Sequence, residues 1–211
     1  MKTILCYGDS NTHGHIPVTG ERYPRDIRWP GILQKKLGEE YYVIEEGHSG
    51  RTTLWDDPIE EHKNGKTYLQ PCLATHSPID LVVLLLGTND LKVRFSLSPY
   101  DISASAENLV KTIQQSGCGL NHQAPKVLLI TPVPIHSVGE EDLDQMFGID
   151  MAERSQQLAH FYEAVAKRCQ VEYLNPGDAV EISELDGIHY TEQGHAAMAE
   201  LVEKKIREIF E

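Results

Sequence analysis

Five short apolar runs, Thr3–Tyr7, Tyr42–Glu46, Leu81–Leu86, Val127–Thr131 and Val171–Leu174, recur along this chain with helix-like segments between them. Short runs rich in Val, Ile and Leu suit strands buried on both faces. Strands that alternate with helices assemble into a parallel sheet covered on both sides. Helical spacing appears in Trp29–Leu37, with apolar residues at 29, 32, 33 and 37 and Gly38 as its stop. Ile102–Gln115 is opened by Ser98 as cap and Pro99 in the first turn, and Gly117 follows its end. Met151–Cys169 and Thr191–Phe210 complete the set, the latter beginning at a Thr cap. The expected class is thus α/β, and residues 1–211 are expected to form one domain, since halves of such a chain would each be poor in core.

In an open parallel sheet, ligands sit outside the carboxyl ends of the strands. The residues just after each run therefore carry the functional information. They are Gly8-Asp9-Ser10, Gly47-His48-Ser49-Gly50, Gly87-Thr88-Asn89-Asp90 and Pro132-Val133-Pro134, with Asp186-Gly187-Ile188-His189 before the last helix. The connections Asn11–Arg28, Thr52–Leu69 and Pro132–Asp150 read as long loops, which in compact domains are often functional.

A serine hydroxyl attacks a carbonyl carbon when a base takes its proton, and the usual base is a histidine oriented by a carboxylate. Asp186 and His189 supply that pair from one loop, because a single turn lets the carboxylate reach one ring nitrogen and leaves the other free to face Ser10. The oxyanion formed by the attack needs preorganised donors. The backbone amides of Ser10 and Gly50 and the side-chain amide of Asn89 are available at strand ends. Asp9, beside Ser10, and Ile188, between the paired residues, are expected to contact substrate, with Ile188 limiting acyl length. Lys92, Trp29, Trp55 and Tyr68 are candidates for the entrance, although each residue type serves packing or solvated surface more often. The histidines other than His189 are expected to be surface or core residues.

The stretches GDSNTHG, EEGHSGRTT, LLLGTND and DGIHYTEQGH, in that order, resemble the four sequence blocks of the SGNH (GDSL-type) hydrolases and extend over essentially the whole chain. That resemblance implies a three-layer α/β/α sandwich of flavodoxin-like type around a central parallel sheet of about five strands. It implies ester or thioester hydrolysis with Ser10 as nucleophile, His189 as general base, Asp186 as its orienting carboxylate, and Ser10, Gly50 and Asn89 as the oxyanion hole. Gly50 is preferred over Gly47 because Ser49-Gly50-Arg51-Thr52 aligns with the second block. The stretches DIRWPGIL, VIEEGHSGRTT, NGKTYLQPCLATHSPIDLVVLLLGTNDLK and APKVLLITP are similar to the arylesterase and acyltransferase (perhydrolase-like) branch. The chain departs from that branch at Asn11, His13 and His15, where apolar or aromatic residues are common in it.

The expected function is a serine esterase acting on short acetyl or aryl esters through an acyl-enzyme, with acyl transfer or perhydrolysis as a side activity. A carbohydrate deacetylase or a thioesterase would use the same machinery. A flavodoxin-like module that cradles a phosphate or flavin on Ser10-Asn11-Thr12 is the alternative of another class, and it has no use for the Asp186/His189 pair. No Walker or Rossmann fingerprint occurs, and Gly47-His48-Ser49-Gly50 lacks the spacing of a nucleophile elbow.

No metal or organic cofactor is expected, and Cys6, Cys72, Cys118 and Cys169 form no CxxC pair, so they read as core thiols. With 19 Lys and Arg against 32 Asp and Glu, the net charge of −13 repels a phosphate backbone, so nucleic acid is not an expected partner. The apolar run before Asp9 is too short for a signal-peptide core and no stretch approaches a membrane span. The expectations are a cytoplasmic setting, no membrane partner, a small-molecule ester substrate, and a homo-oligomer built through the long loops.

Overall fold

The computed structural model describes the backbone of residues 1–211 and every side chain except that of Asp178. Five strands, β1 (Lys2–Gly8), β2 (Tyr41–Gly47), β3 (Leu81–Leu85), β4 (Lys126–Ile130) and β5 (Glu172–Leu174), pair in parallel in the order β2-β1-β3-β4-β5. Alternation along the strands explains why both faces are covered. On β1, Leu5 and Tyr7 point into a cluster with Leu69, Leu73, Leu109 and Leu158, whereas Ile4 and Cys6 point into a second cluster with Trp29, Leu33, Met198 and Val202. The first cluster joins the sheet to α3 (Gly65–His76), α4 (Pro99–Gln114) and α6 (Met151–Cys169). The second joins it to α2 (Trp29–Leu37) and α7 (Glu192–Phe210). The result is the expected three-layer α/β/α sandwich.

The caps read from the sequence do their expected work. Ser98 and Asp101 exchange hydrogen bonds at the start of α4 in a capping box, and the Thr191 hydroxyl accepts from Gly194 N–H at 3.0 Å to open α7. The long loops are where expectation and structure part. The segment Asn11–Arg28 begins inside a short helix, α1 (Ser10–His13). The stretch Thr52–Leu69 already contains the first turn of α3, and Pro132–Asp150 contains α5 (Glu141–Phe147). Among the described residues no helix is long and apolar enough to cross a membrane.

In a sheet of this order the chain winds outward in opposite senses on either side of β1 and β3, and the crevice outside their carboxyl ends is the place where such folds bind ligands. Gly8 of β1 pairs with Gly47 of β2 on one side and with Leu85 of β3 on the other, so the three strands end level with one another. Ser10, the Gly50 loop and the Asn89 loop consequently leave the sheet at one rim.

Candidate active site

Asp9 turns the chain from β1 into α1. Its carboxylate accepts from the N–H of Asn11 at 3.0 Å while its carbonyl receives the N–H groups of Thr12 and His13, which leaves Ser10 as the first helical residue. Burial lifts the Asp9 carboxyl to about 6, against hydrogen bonds and neighbouring positive groups that pull it down. Asp9 is 1% exposed, and its carboxylate is engaged in the turn that presents Ser10.

The loop before α7 brings the far end of the chain to Ser10. His189 Nδ1 lies 2.6 Å from Asp186 Oδ2, and Nε2 lies 2.9 Å from Ser10 Oγ. A carboxylate can only accept, so Nδ1 carries the proton, and in neutral imidazole Nε2 then accepts from the serine hydroxyl. Asp186 Oδ1 also takes the N–H groups of Ile188 and His189, each at 3.0 Å. Burial alone would raise this carboxyl, but the hydrogen bonds and the neighbouring imidazole hold it below its ordinary value. Ile188 packs into the core cluster at 5% exposure, and its carbonyl accepts from Asn11 Nδ2 at 3.2 Å. Ile188 thus packs its side chain against the core while its backbone ties the histidine loop to Asn11.

Donors converge on the same rim. Among the described residues neither Ser10 N–H nor Gly50 N–H has a protein acceptor, and Asn89 gives one amide hydrogen to the Arg51 carbonyl at 3.2 Å, leaving its second free. Gly50 turns with φ +81°, a conformation that side-chain-bearing residues rarely adopt. Gly47 serves differently: it ends β2, and a Cβ there would stand 2.2 Å from His13 N, so α1 can lie against the strand only if residue 47 is glycine.

The profile of the GDSL-like Lipase/Acylhydrolase family matches residues 6–197. The chain belongs to that family. This places it among the carboxylic ester hydrolases. The fold superposes on the native aryl esterase of M. smegmatis with a TM-score of 0.94 and 38% identity, covering 99% of both chains. It superposes equally on Est24, a carbohydrate acetylesterase from Sinorhizobium meliloti, with a TM-score of 0.94 and 37% identity over 99% of this chain and 100% of the other. An acetylxylan esterase from Xylanibacter ruminicola is 28% identical over 218 residues, which is 97% of this chain but only 43% of that protein. The chain thus spans less than half of the length of that curated relative.

Three residues of this GDSL-like hydrolase matter more than its sequence suggested. Asn11 bonds Ile188 O through Nδ2 and accepts from Tyr190 N–H at 3.0 Å through Oδ1, tying the serine helix to the histidine loop. His15 lies against the His189 ring at a tilt of 36°, centroids 4.2 Å apart, and burial followed by repulsion from His189 pulls its own titration down. Arg51 is buried, donates to the carbonyls of Gly8 and Glu46, and lies over the Tyr7 ring at 4.2 Å, joining the ends of β1 and β2. The partners of Asn11 lie 177 and 179 residues away. No spacing rule could have found them.

Asp90 holds the Asn89 loop against its neighbour by accepting from Thr53 N–H and Oγ1, and burial lifts its carboxyl to about 6. A cavity of about 460 Å³ opens beside the Gly50 loop, with His48, Arg51, Asn64, Thr67 and Tyr68 in its walls. Of the residues expected to shape the entrance, Tyr68 lines this cavity and Trp55 is part-exposed. Trp29 is wholly buried in the core, and Lys92 is buried in an ion pair with Glu60 at 3.0 Å.

Proposed function

We propose that the protein hydrolyses short-chain acyl esters by a two-step acyl-enzyme mechanism. The observation that carries this reading is the unbroken hydrogen-bonded chain from Asp186 through His189 to Ser10 at the rim of the sheet. Ser10 Oγ attacks the ester carbonyl while its proton passes to His189 Nε2, and Asp186 keeps the ring in the required tautomer and stabilises the imidazolium. The oxyanion is received by Ser10 N–H, Gly50 N–H and the free amide hydrogen of Asn89. On collapse, the alcohol leaves with the proton from His189, and water attacks the acyl-enzyme by the same route in reverse. The polar residues Asn11, His13 and His15, at positions where the similar branch commonly carries apolar or aromatic ones, favour water over an added alcohol as acyl acceptor, so hydrolysis dominates and transfer is the minor path.

Within that reading, an ester whose alcohol part is hydrophilic, such as an acetylated sugar, is favoured by the cavity next to Gly50. Its walls set the Tyr68 ring beside polar side chains of His48, Asp56 and Thr67, a surface on which a sugar ring can both stack and hydrogen-bond. The carbohydrate acetylesterase and acetylxylan esterase among the relatives are compatible with this choice.

The test is product analysis on p-nitrophenyl acetate and on a peracetylated sugar, with and without added alcohol. Ser10→Ala and His189→Ala should each lower kcat by about 10⁴-fold or more on both substrates, with free acetate exceeding the transfer product in the parent. Full activity in Ser10→Ala would sink the mechanism.

A further inference from the structure

We propose that Glu46, Cys72 and His76 form a binding site for one borderline-soft divalent cation, Zn²⁺ being the best match, at the edge of the sheet where β2 meets α3. Cys72 and His76 are four residues apart on α3 and so stand one turn apart on the same face, and Glu46 reaches them from the end of β2. One ligand atom from each side chain lies within 4.8 Å of the other two, and His76 Nε2 is 2.8 Å from Glu46 Oε1. Cys72 is fully buried at the base of the cluster, while the His76 and Glu46 side chains are 25% and 19% exposed and form its open mouth.

A thiolate, an imidazole and a carboxylate are the donor types that zinc takes, at about 2.3, 2.0 and 2.0 Å in tetrahedral arrangement. Tetrahedral bonds of about 2.0 Å place N and O about 3.3 Å apart, so the His76–Glu46 contact needs to open by only about half an ångström. The fourth position is left to water. Tyr68 Oη, 3.5 Å from Glu46 Oε1, stands as an outer hydrogen-bond partner that would orient the carboxylate.

Charge and softness select the cation. The Arg51 guanidinium, 5.5 Å from the Tyr68 ring centre, opposes every dication alike, and the thiolate then discriminates against Mg²⁺ and Ca²⁺, which gain little from sulfur. For Zn²⁺ the thiolate and carboxylate together balance both charges. Binding exchanges the Cys72 S–H bond for an S–metal bond and releases that proton to solvent, with no change of oxidation state. The bound ion would clip α3 to the end of β2, beside the Glu46 carbonyl that receives Arg51.

The spacing of Cys72 and His76 is no zinc motif, and the third ligand lies 30 residues from His76 in sequence, so only the packed fold assembles the set. The experiment is titration of untagged, metal-free protein with Co²⁺, read by the thiolate-to-cobalt charge-transfer absorption. The expected result is saturation at one equivalent, displacement by Zn²⁺, loss of the band in Cys72→Ser, and at least tenfold weaker binding in His76→Ala. Cys169→Ser should keep the band. Zn²⁺ should raise the melting temperature of the parent and not that of His76→Ala, with ester turnover of His76→Ala confirming its fold. Absence of the band in the parent, its persistence in Cys72→Ser, or unaltered binding in His76→Ala would each overturn the site, and the last arm stands even if Cys72→Ser does not fold.

Discussion

In the proposed mechanism Asn89 contributes through a single amide hydrogen. Its other N–H is committed to the Arg51 carbonyl, which fixes the side chain before any substrate arrives. Preorganised donors of this kind are worth about 2.7–4 kcal/mol in the transition state. Asn89→Ala should therefore lower kcat on p-nitrophenyl acetate by about 10²–10³-fold with little change in KM, as steady-state kinetics will show. An equal rise in KM with kcat kept would mean that the amide binds ground state only. The sequence could nominate Ser10, Asp186, His189 and Asn89 because each follows an apolar run or closes a short loop, where residue type and spacing carry information. It could not nominate Asn11, His15 and Arg51, since what they do depends on partners that reach them only through the sheet or through ring contact. The burial of Asp9 and Ile188 was likewise beyond the sequence, since nearness to a residue in the chain does not decide which way a side chain turns.

At the scale of elements, Ser10, the proposed nucleophile, is presented by the contact of α1 with β2. A methyl group at residue 47 would meet His13 N at 2.2 Å and the Thr12 carbonyl carbon at 2.5 Å, and backbone cannot move aside as a flexible side chain would. Gly47→Ala is expected to displace α1, cost the fold several kcal/mol and abolish turnover, as urea denaturation beside an ester assay will report. Retention of both stability and activity would refute the packing argument. The strands were readable because buried parallel strands are nearly continuous apolar runs. α3 and α5 were not. In α3 the apolar set is Leu69, Cys72 and Leu73, interrupted by Pro71, and α5 has only Leu143, Met146 and Phe147 among acidic neighbours. A single apolar patch, in a helix of seven residues or in one of twelve broken by proline, repeats too little to separate a helix from a loop.

Over the whole molecule, two buried carboxyls bias the pH dependence of stability. Asp9 and Asp90 titrate at about 6 in the folded protein, above their ordinary value of 3.8, so the folded state holds protons that the unfolded chain has released. Their contribution is fully present below about pH 4 and is lost as pH rises through about 6. Asp186, held low, acts in the opposite sense: its contribution is present above the ordinary carboxylate value and is lost as pH falls through its folded value. Calorimetric melts of the parent and of Asp90→Asn at about pH 4.5 and about pH 6.5 will separate these terms, because only the Asp90 share disappears in the variant. The variant should lose less stability on going to the higher pH, and identical pH dependence in the two proteins would remove Asp90 from the account. The sequence by itself determined the strand runs, the helix caps and the residue types at the strand ends, because these follow from local periodicity and from hydrogen bonding within a few residues. Only the tertiary structure decided that Asn11 locks the serine helix to the histidine loop, that Asp9 and Ile188 face inward, and that Glu46 meets Cys72 and His76. Those contacts join elements that are distant in the chain, and their geometry exists only after the sheet has set their distance and direction.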